Sequence, residues 1–178
     1  MDKKQEKSGC EKVRERVAKR LKEIGFLRTK PSFFTRVRPY WIEFGHLHKF
    51  TFGPYFRVHF GIRILSDQNQ DISLNGPDSD RIRSILYHFP VSLFLDQRKY
   101  DFKYGESLQS MEKCAQDIFV FWKKVGLPWF RRWQDSNKLI KSKKSPLSQK
   151  EKELLQILIN NTNLVSLSDI TKKELGLS

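Results

Sequence analysis

The clearest alternation along the chain runs from Tyr55 to Leu65. Phe56, Val58, Phe60, Ile62 and Ile64 fall on one side, Arg57, His59, Gly61 and Arg63 on the other. Successive strand side chains point to opposite faces, so this period of two predicts a strand with one apolar and one basic face. A second aromatic-rich run, Trp41 to Thr51, precedes it, and Gly53-Pro54 between them reads as a turn. With those two as the central turn residues, His48 pairs with His59, His46 with Gly61, Phe44 with Arg63 and Phe50 with Arg57. Trp41, Gly45 and Leu47 then join the apolar side. A one-residue slip would exchange the two faces, so the hairpin register is the main structural expectation.

Helical spacing brackets this hairpin. Val13, Val17, Leu21 and Ile24 form one narrow stripe over Glu11–Ile24, with Gly25 suited to a left-handed stop. Ser32–Val37 (SFFTRV) reads as a short strand with Phe34 in the core, and Tyr100, Phe102 and Tyr104 alternate as another. Ile72 and Leu74 precede a loop at Asn75–Asp78, whereas Arg81–Phe89 fits a helix or a strand. Leu108, Met111, Ala115, Ile118, Trp122 and Val125 define the strongest helix. Ser107 or Ser110 is its N-cap, and Gly126 and Pro128 read as its end. Trp129–Trp133 (WFRRW) starts a further short helix. Ser148 with Glu151, and Thr171 with Glu174, match the S/T-x-x-E capping box.

These elements predict an α+β fold: an N-terminal helix, an antiparallel meander sheet, and C-terminal helices packed on it. Residues 1–137 form the α+β domain, 138–147 a basic linker and 148–178 a helical appendage.

Composition agrees with a folded chain: 38% of residues are hydrophobic and 13% aromatic. No run approaches the roughly 20 apolar residues of a membrane span, and MDKKQEKSG lacks the apolar core of a secretory signal. No membrane role is expected, and the cytoplasm is the default location. Cys10 and Cys114 are too few for a disulfide framework and read as buried, reduced thiols. The net charge of +14 changes the picture most, because it favours an anionic partner: nucleic acid, an acidic protein or a membrane surface.

Catalytic motifs are missing. There is no glycine-rich phosphate loop, G-x-S-x-G or H-E-x-x-H, and no cofactor is expected. His46 and His48 share a strand face about 7 Å apart, and His59 opposite His48 completes a trio of the kind that holds zinc. The competing reading leaves them as ordinary residues of a basic face. Arg57 and Arg63, interleaved with Phe44 and Phe50, suit a surface that stacks bases and holds phosphates. Alternatively a helical layer covers that face and the arginines pair with acids. Arg131 and Arg132, between Trp129 and Trp133, make a second basic–aromatic patch.

"LKEIGF" (Leu21–Phe26), "SFFTRV", "FRVHFGIRIL" (Phe56–Leu65) and "GLPWF" (Gly126–Phe130) together resemble a bacterial domain-of-unknown-function family, DUF4304, over about residues 11–135. The resemblance implies an α+β domain whose members are suspected immunity proteins beside polymorphic toxins; it brings no catalytic residues. The strong positive charge departs from what an inhibitor of basic nucleases would carry. "LSQKEKELLQIL" and "SLSDITKKELGLS" are similar to the first two helices of a helix-turn-helix. Its reader helix would begin at Ser178, so no base readout is expected from these residues. The leading expectation is a non-enzymatic module that binds a protein, with an immunity-type protein as the form the resemblance implies. Nucleic-acid binding through the basic sheet face is the alternative, and a metal-dependent hydrolase on the three histidines the third.

Overall fold

The computed structural model describes residues 2–80 and 102–177. The expectations for Arg81–Phe89 and for Tyr100 lie outside them. A five-stranded antiparallel sheet in the order β1-β2-β3-β4-β5 forms the centre, built from Leu27–Lys30, Phe33–Val37, Trp41–Lys49, Tyr55–Ile64 and Phe102–Lys103. The expected α+β meander is therefore what the chain adopts.

Helix α1 spans Lys3–Lys22 and starts eight residues before the apolar stripe. Asp2 and Gln5 form a capping box there, which starts the helix on polar residues that periodicity could not register. Gly25, at φ 83°, turns the chain out of the helix as expected, and the Phe26 amide donates to the Leu21 carbonyl at 3.0 Å. Val13, Val17 and Leu21 are fully buried against the sheet and helix α2, Leu108–Phe121.

Helix α2 does not stop at Gly126. A π turn, Trp122–Gly126, carries it directly into α3, Leu127–Arg132. Gly126 keeps right-handed helical angles (φ −65°), and the Leu127 amide donates to the Trp122 carbonyl five residues back. The widened turn admits Pro128, which has no amide to offer the ladder. Gly126 serves instead as a gap: a Cβ there would lie 2.5 Å from the Phe60 ring.

The hairpin register differs from expectation by two residues. His46 pairs with His59, His48 with Arg57, Phe44 with Gly61 and Ile42 with Arg63. Phe50 donates to the Tyr55 carbonyl at 3.1 Å, so Thr51–Pro54 form a four-residue loop rather than a two-residue turn. Gly53 does take the positive φ of a turn, but next to Pro54 rather than as its paired centre. A shift of two preserves the faces, so the apolar side is as expected.

On that side Trp122 lies against the strand at Gly45, with Phe60 edge-on at 4.9 Å and Phe26 at 5.1 Å between ring centroids. The opposite face is not a free cationic surface. Ile42 and Phe44 are completely buried there by Leu175 with Val165, Leu167 and Leu177, from the end of the chain.

The expected linker at 138–147 is partly helical. Helix α4 covers Ser136–Lys141, capped by Asp135, and it buries Leu139; Leu147 is buried after it. Helix α5, Gln149–Asn160, begins with the expected Ser148–Glu151 box and places Leu155 and Leu158 in the main core. Helix α6, Asp169–Leu175, is capped by Ser168 rather than Thr171. Thr171 is buried in the first turn, because its hydroxyl is needed elsewhere.

A Cβ built on Gly45 would come within 2.1 Å of the Trp122 ring. Gly45→Ala is expected to cost about 3 kcal/mol, the upper range for overpacking. Urea unfolding will check it, and a loss below about 1 kcal/mol would show that the ring moves aside freely.

Candidate functional site

The sequence points to the second face of β3 and β4, and most of that face is used internally. Arg63 is 3% exposed. Its Nε donates to the Thr171 hydroxyl at 2.8 Å, Nη1 donates to the Asp71 carbonyl at 3.2 Å, and Nη2 donates to the carbonyls of Asn69 and Asp67. The Thr171 hydroxyl in turn donates to the Asp67 carbonyl at 3.2 Å. Arg63 thus ties the loop after β4 to helix α6 and offers no free donor face to a phosphate. Phe44 lies over Gly61, where a Cβ would meet its ring at 2.3 Å, and is fully buried.

Arg57 is engaged by acids from a segment distant in sequence. Residues 75–79 line the outer edge of β4: Asn75 brackets the Ile62 backbone with two 3.0 Å bonds, Phe60 donates to the Pro77 carbonyl, and Val58 donates to the Ser79 hydroxyl. This closes an edge that would otherwise present unpaired backbone groups. It also brings Asp78 against Arg57 in a two-pronged ion pair, with Asp80 3.5 Å from Nε. Burial pushes the Asp78 carboxyl up, but the Arg57 hydrogen bonds and the Asp80 amide outweigh it, leaving the group below its ordinary value.

The histidines do share one face. His46 stacks on Phe33 at 4.4 Å and on His59 at 6.3 Å, with His48 edge-on at 5.6 Å. Stacked imidazoles present ring faces to one another, whereas zinc needs in-plane nitrogen lone pairs converging at about 2 Å. Asp78, a carboxylate that no motif signalled, lies 3.7 Å from His59 Nδ1. Even so, among the described residues no group of three or more histidine, cysteine or acidic side chains can hold a metal ion. Burial, together with His48, His59 and Arg14 nearby, lowers the His46 pKa to about 4. Burial likewise lowers that of His59, against the pull of Asp78.

Sequence reasoning also passed over Glu43. It is fully buried on the apolar face, 2.7 Å from Arg36 and 3.2 Å from Arg38. Arg36 also donates to the Ile24 carbonyl and stacks over Phe26. Alternation puts Glu43 on that face between Trp41 and Gly45, but its partners come from β2 and the turn after it and are visible only in the fold.

The cations left over lie elsewhere. Between Trp122 and Leu147 the chain carries Lys123, Lys124, Arg131, Arg132, Lys138, Lys141, Lys143 and Lys144 against the single acid Asp135. That local excess of seven is half of the whole chain's +14. All eight are exposed, and among the described residues none has a carboxylate within ion-pair reach. Asp135 is occupied in capping α4. Arg132 and Lys138 both approach the Trp133 indole, at 5.3 and 5.9 Å from its centre, so α3 and α4 bring their charges onto one ring. Of the residues singled out in the sequence, Arg131 and Arg132 are thus solvent-facing. Arg57, Arg63 and Phe44 are engaged inside the fold, and Phe50 is half-buried beside His48.

Comparison with family models, with curated proteins and with solved structures finds no match to this chain.

Because the folded His46 pKa lies below that of the unfolded chain, the unfolded chain binds the proton first as pH falls. Its contribution to stability is full above about pH 6.5 and is lost as pH drops toward 4. Urea midpoints should therefore fall over that window by on the order of 1–2 kcal/mol, after allowance for partial solvent access. His46→Asn should flatten the profile between those limits; an unchanged profile would assign the effect to other groups. Arg63→Gln should lower stability by about 3 kcal/mol, as when one partner of a buried charge network is removed. A variant as stable as wild type would show that Arg63 does not pin the tail.

Proposed function

We propose that the protein is a non-enzymatic binding module whose partner is a nucleic-acid backbone, engaged by the exposed cations between Lys123 and Lys144. The observation that carries this reading is the separation of two kinds of cation. Among the described residues, Arg36, Arg57 and Arg63 of the sheet are paired with acids, whereas the eight of the helical segment have no carboxylate partner. Holding like charges on one short segment raises self-repulsion, which an anionic partner relieves. A regular array of phosphates meets that requirement without shape-specific contacts, and each neutralised phosphate releases condensed counterions. The contact surface is thus displaced from the sheet face, where the sequence pattern placed it, to the helices that follow Trp122.

An acidic protein surface, the alternative anionic partner suggested by the net charge, would use the same charges. The two differ in how affinity depends on salt. For nucleic acid, raising salt from 50 to 200 mM should weaken binding about 1,000-fold if some six phosphates are contacted. Replacing Arg131 and Arg132 together by Gln should reduce the slope of log affinity against log salt by about 2. Fluorescence anisotropy with labelled oligonucleotides measures both. Absence of binding at 50 mM salt, or a slope untouched by the double substitution, would overturn the proposal.

A further inference from the structure

A second feature lies at the tip of the β3–β4 hairpin. Phe52 is 92% exposed, far more than any other large apolar side chain described. The tip that presents it is closed by two backbone bonds: Phe50 donates to the Tyr55 carbonyl and Tyr55 donates to the Gly53 carbonyl, at 3.1 and 3.0 Å. Gly53, at φ 100°, sits against the Tyr55 ring, where a Cβ would lie 2.9 Å from it. The phenyl ring is therefore held out on a turn with little freedom to fold back. An apolar ring kept in water forgoes the gain of burial and is a ready platform for a flat partner.

Thr51, the neighbour of Phe52, lines a groove of about 580 Å³ between the start of α1 and the strands. Lys3, Lys7, Arg14 and Lys49 face it. Its two acids are already taken, since Glu6 pairs with Lys49 and Glu11 pairs with Arg28 at 2.6 Å. Lys3, Lys7 and Arg14 have no carboxylate partner among the described residues, and the buried Arg14 Nε has no hydrogen-bond acceptor. On the other flank the Lys103 ammonium lies 5.4 Å above the Tyr55 ring.

We infer that this tip is a stacking site for an unpaired nucleotide: its base lies on Phe52 and its phosphate enters the groove toward Lys3, Lys7 and Arg14. The inference rests on the nucleic-acid reading above and deepens it, because it makes the preferred ligand single-stranded. Bases of a duplex are stacked on one another and leave no free face for Phe52, whereas an unpaired base does. A flat bilayer would leave a concave, charge-lined groove unfilled, which favours a chain-like polyanion over a membrane.

Anisotropy titrations with a single-stranded oligonucleotide and its duplex, on the full chain at 50 mM salt, test the assignment. Wild type should prefer the single strand. Phe52→Ala should lose about tenfold in single-strand affinity with duplex affinity and salt slope unchanged. Phe52 is already exposed, so loss of fold will not confound the variant, and an unfolding curve will verify this. Phe52→Trp should retain affinity, its fluorescence being quenched as the single strand binds. If wild type binds but Phe52→Ala binds equally well, or loses single-strand and duplex affinity alike, this inference falls and the proposed function stands. If wild type binds neither, both fall. Phe52-dependent binding to phosphatidylglycerol vesicles, without Phe52-dependent single-strand binding, would also overturn it.

Discussion

The contact between the Trp122 indole and the bare backbone of Gly45 sets the spacing of this structure. An indole lying directly on a strand requires that the strand carry no side chain at that point. Once it is there, Phe60, Phe26 and Phe34 close around it edge-on. Among the described residues the indole N–H has no hydrogen-bond partner in this apolar setting. The same device recurs twice: Gly126 receives Phe60, and Gly61 receives Phe44 on the reverse of the sheet. Three glycines scattered in sequence thus bring helix, sheet and tail within reach of one another. The π turn belongs to this arrangement, since it carries the chain from Trp122 to Gly126, two of the points at which the helical layer meets β3 and β4.

Because helices claim one side of the sheet and the chain's end claims part of the other, polar groups caught between must be satisfied internally. Arg63 does this by donating to three backbone carbonyls and a hydroxyl, and Glu43 by accepting two arginines. Arg57 finds acids delivered by the segment that also closes the β4 edge. Each of these cations reads as available in the sequence and is committed in the fold. Among the described residues, cations without a carboxylate partner include those of the short helices after Trp122 and those of the groove beside the hairpin tip.

How much of this was legible depends on the range of the interaction. The two faces of the hairpin could be read from Phe56, Val58, Phe60, Ile62 and Ile64, because alternation is a property of adjacent residues. The register could not, since the Gly53-Pro54 pair suggests a two-residue turn while the hydrogen bond that closes the loop is made by Phe50 and Tyr55. An even shift kept every side chain on its expected side, which is why a wrong partner list still described the right surface. Among the candidate contact residues, Arg131 and Arg132 remained exposed because α3 is short and presents both to solvent. Arg63 did not, because its partners at Thr171 and Asp67 come from opposite ends of a long loop closure.

By itself, then, the order of residues determined the local periods: the apolar stripes of α1 and α2, the alternation of β4 and which of its faces is apolar, and the capping box at Ser148. It also determined the excess of positive charge. Tertiary structure alone decided which cations are spent inside the molecule, that His46 rather than His48 opposes His59, and that the C-terminal segment covers Ile42 and Phe44. The physical reason is that periodicity is encoded between neighbours, whereas burial and ion pairing are encoded between residues that meet only when the chain closes on itself.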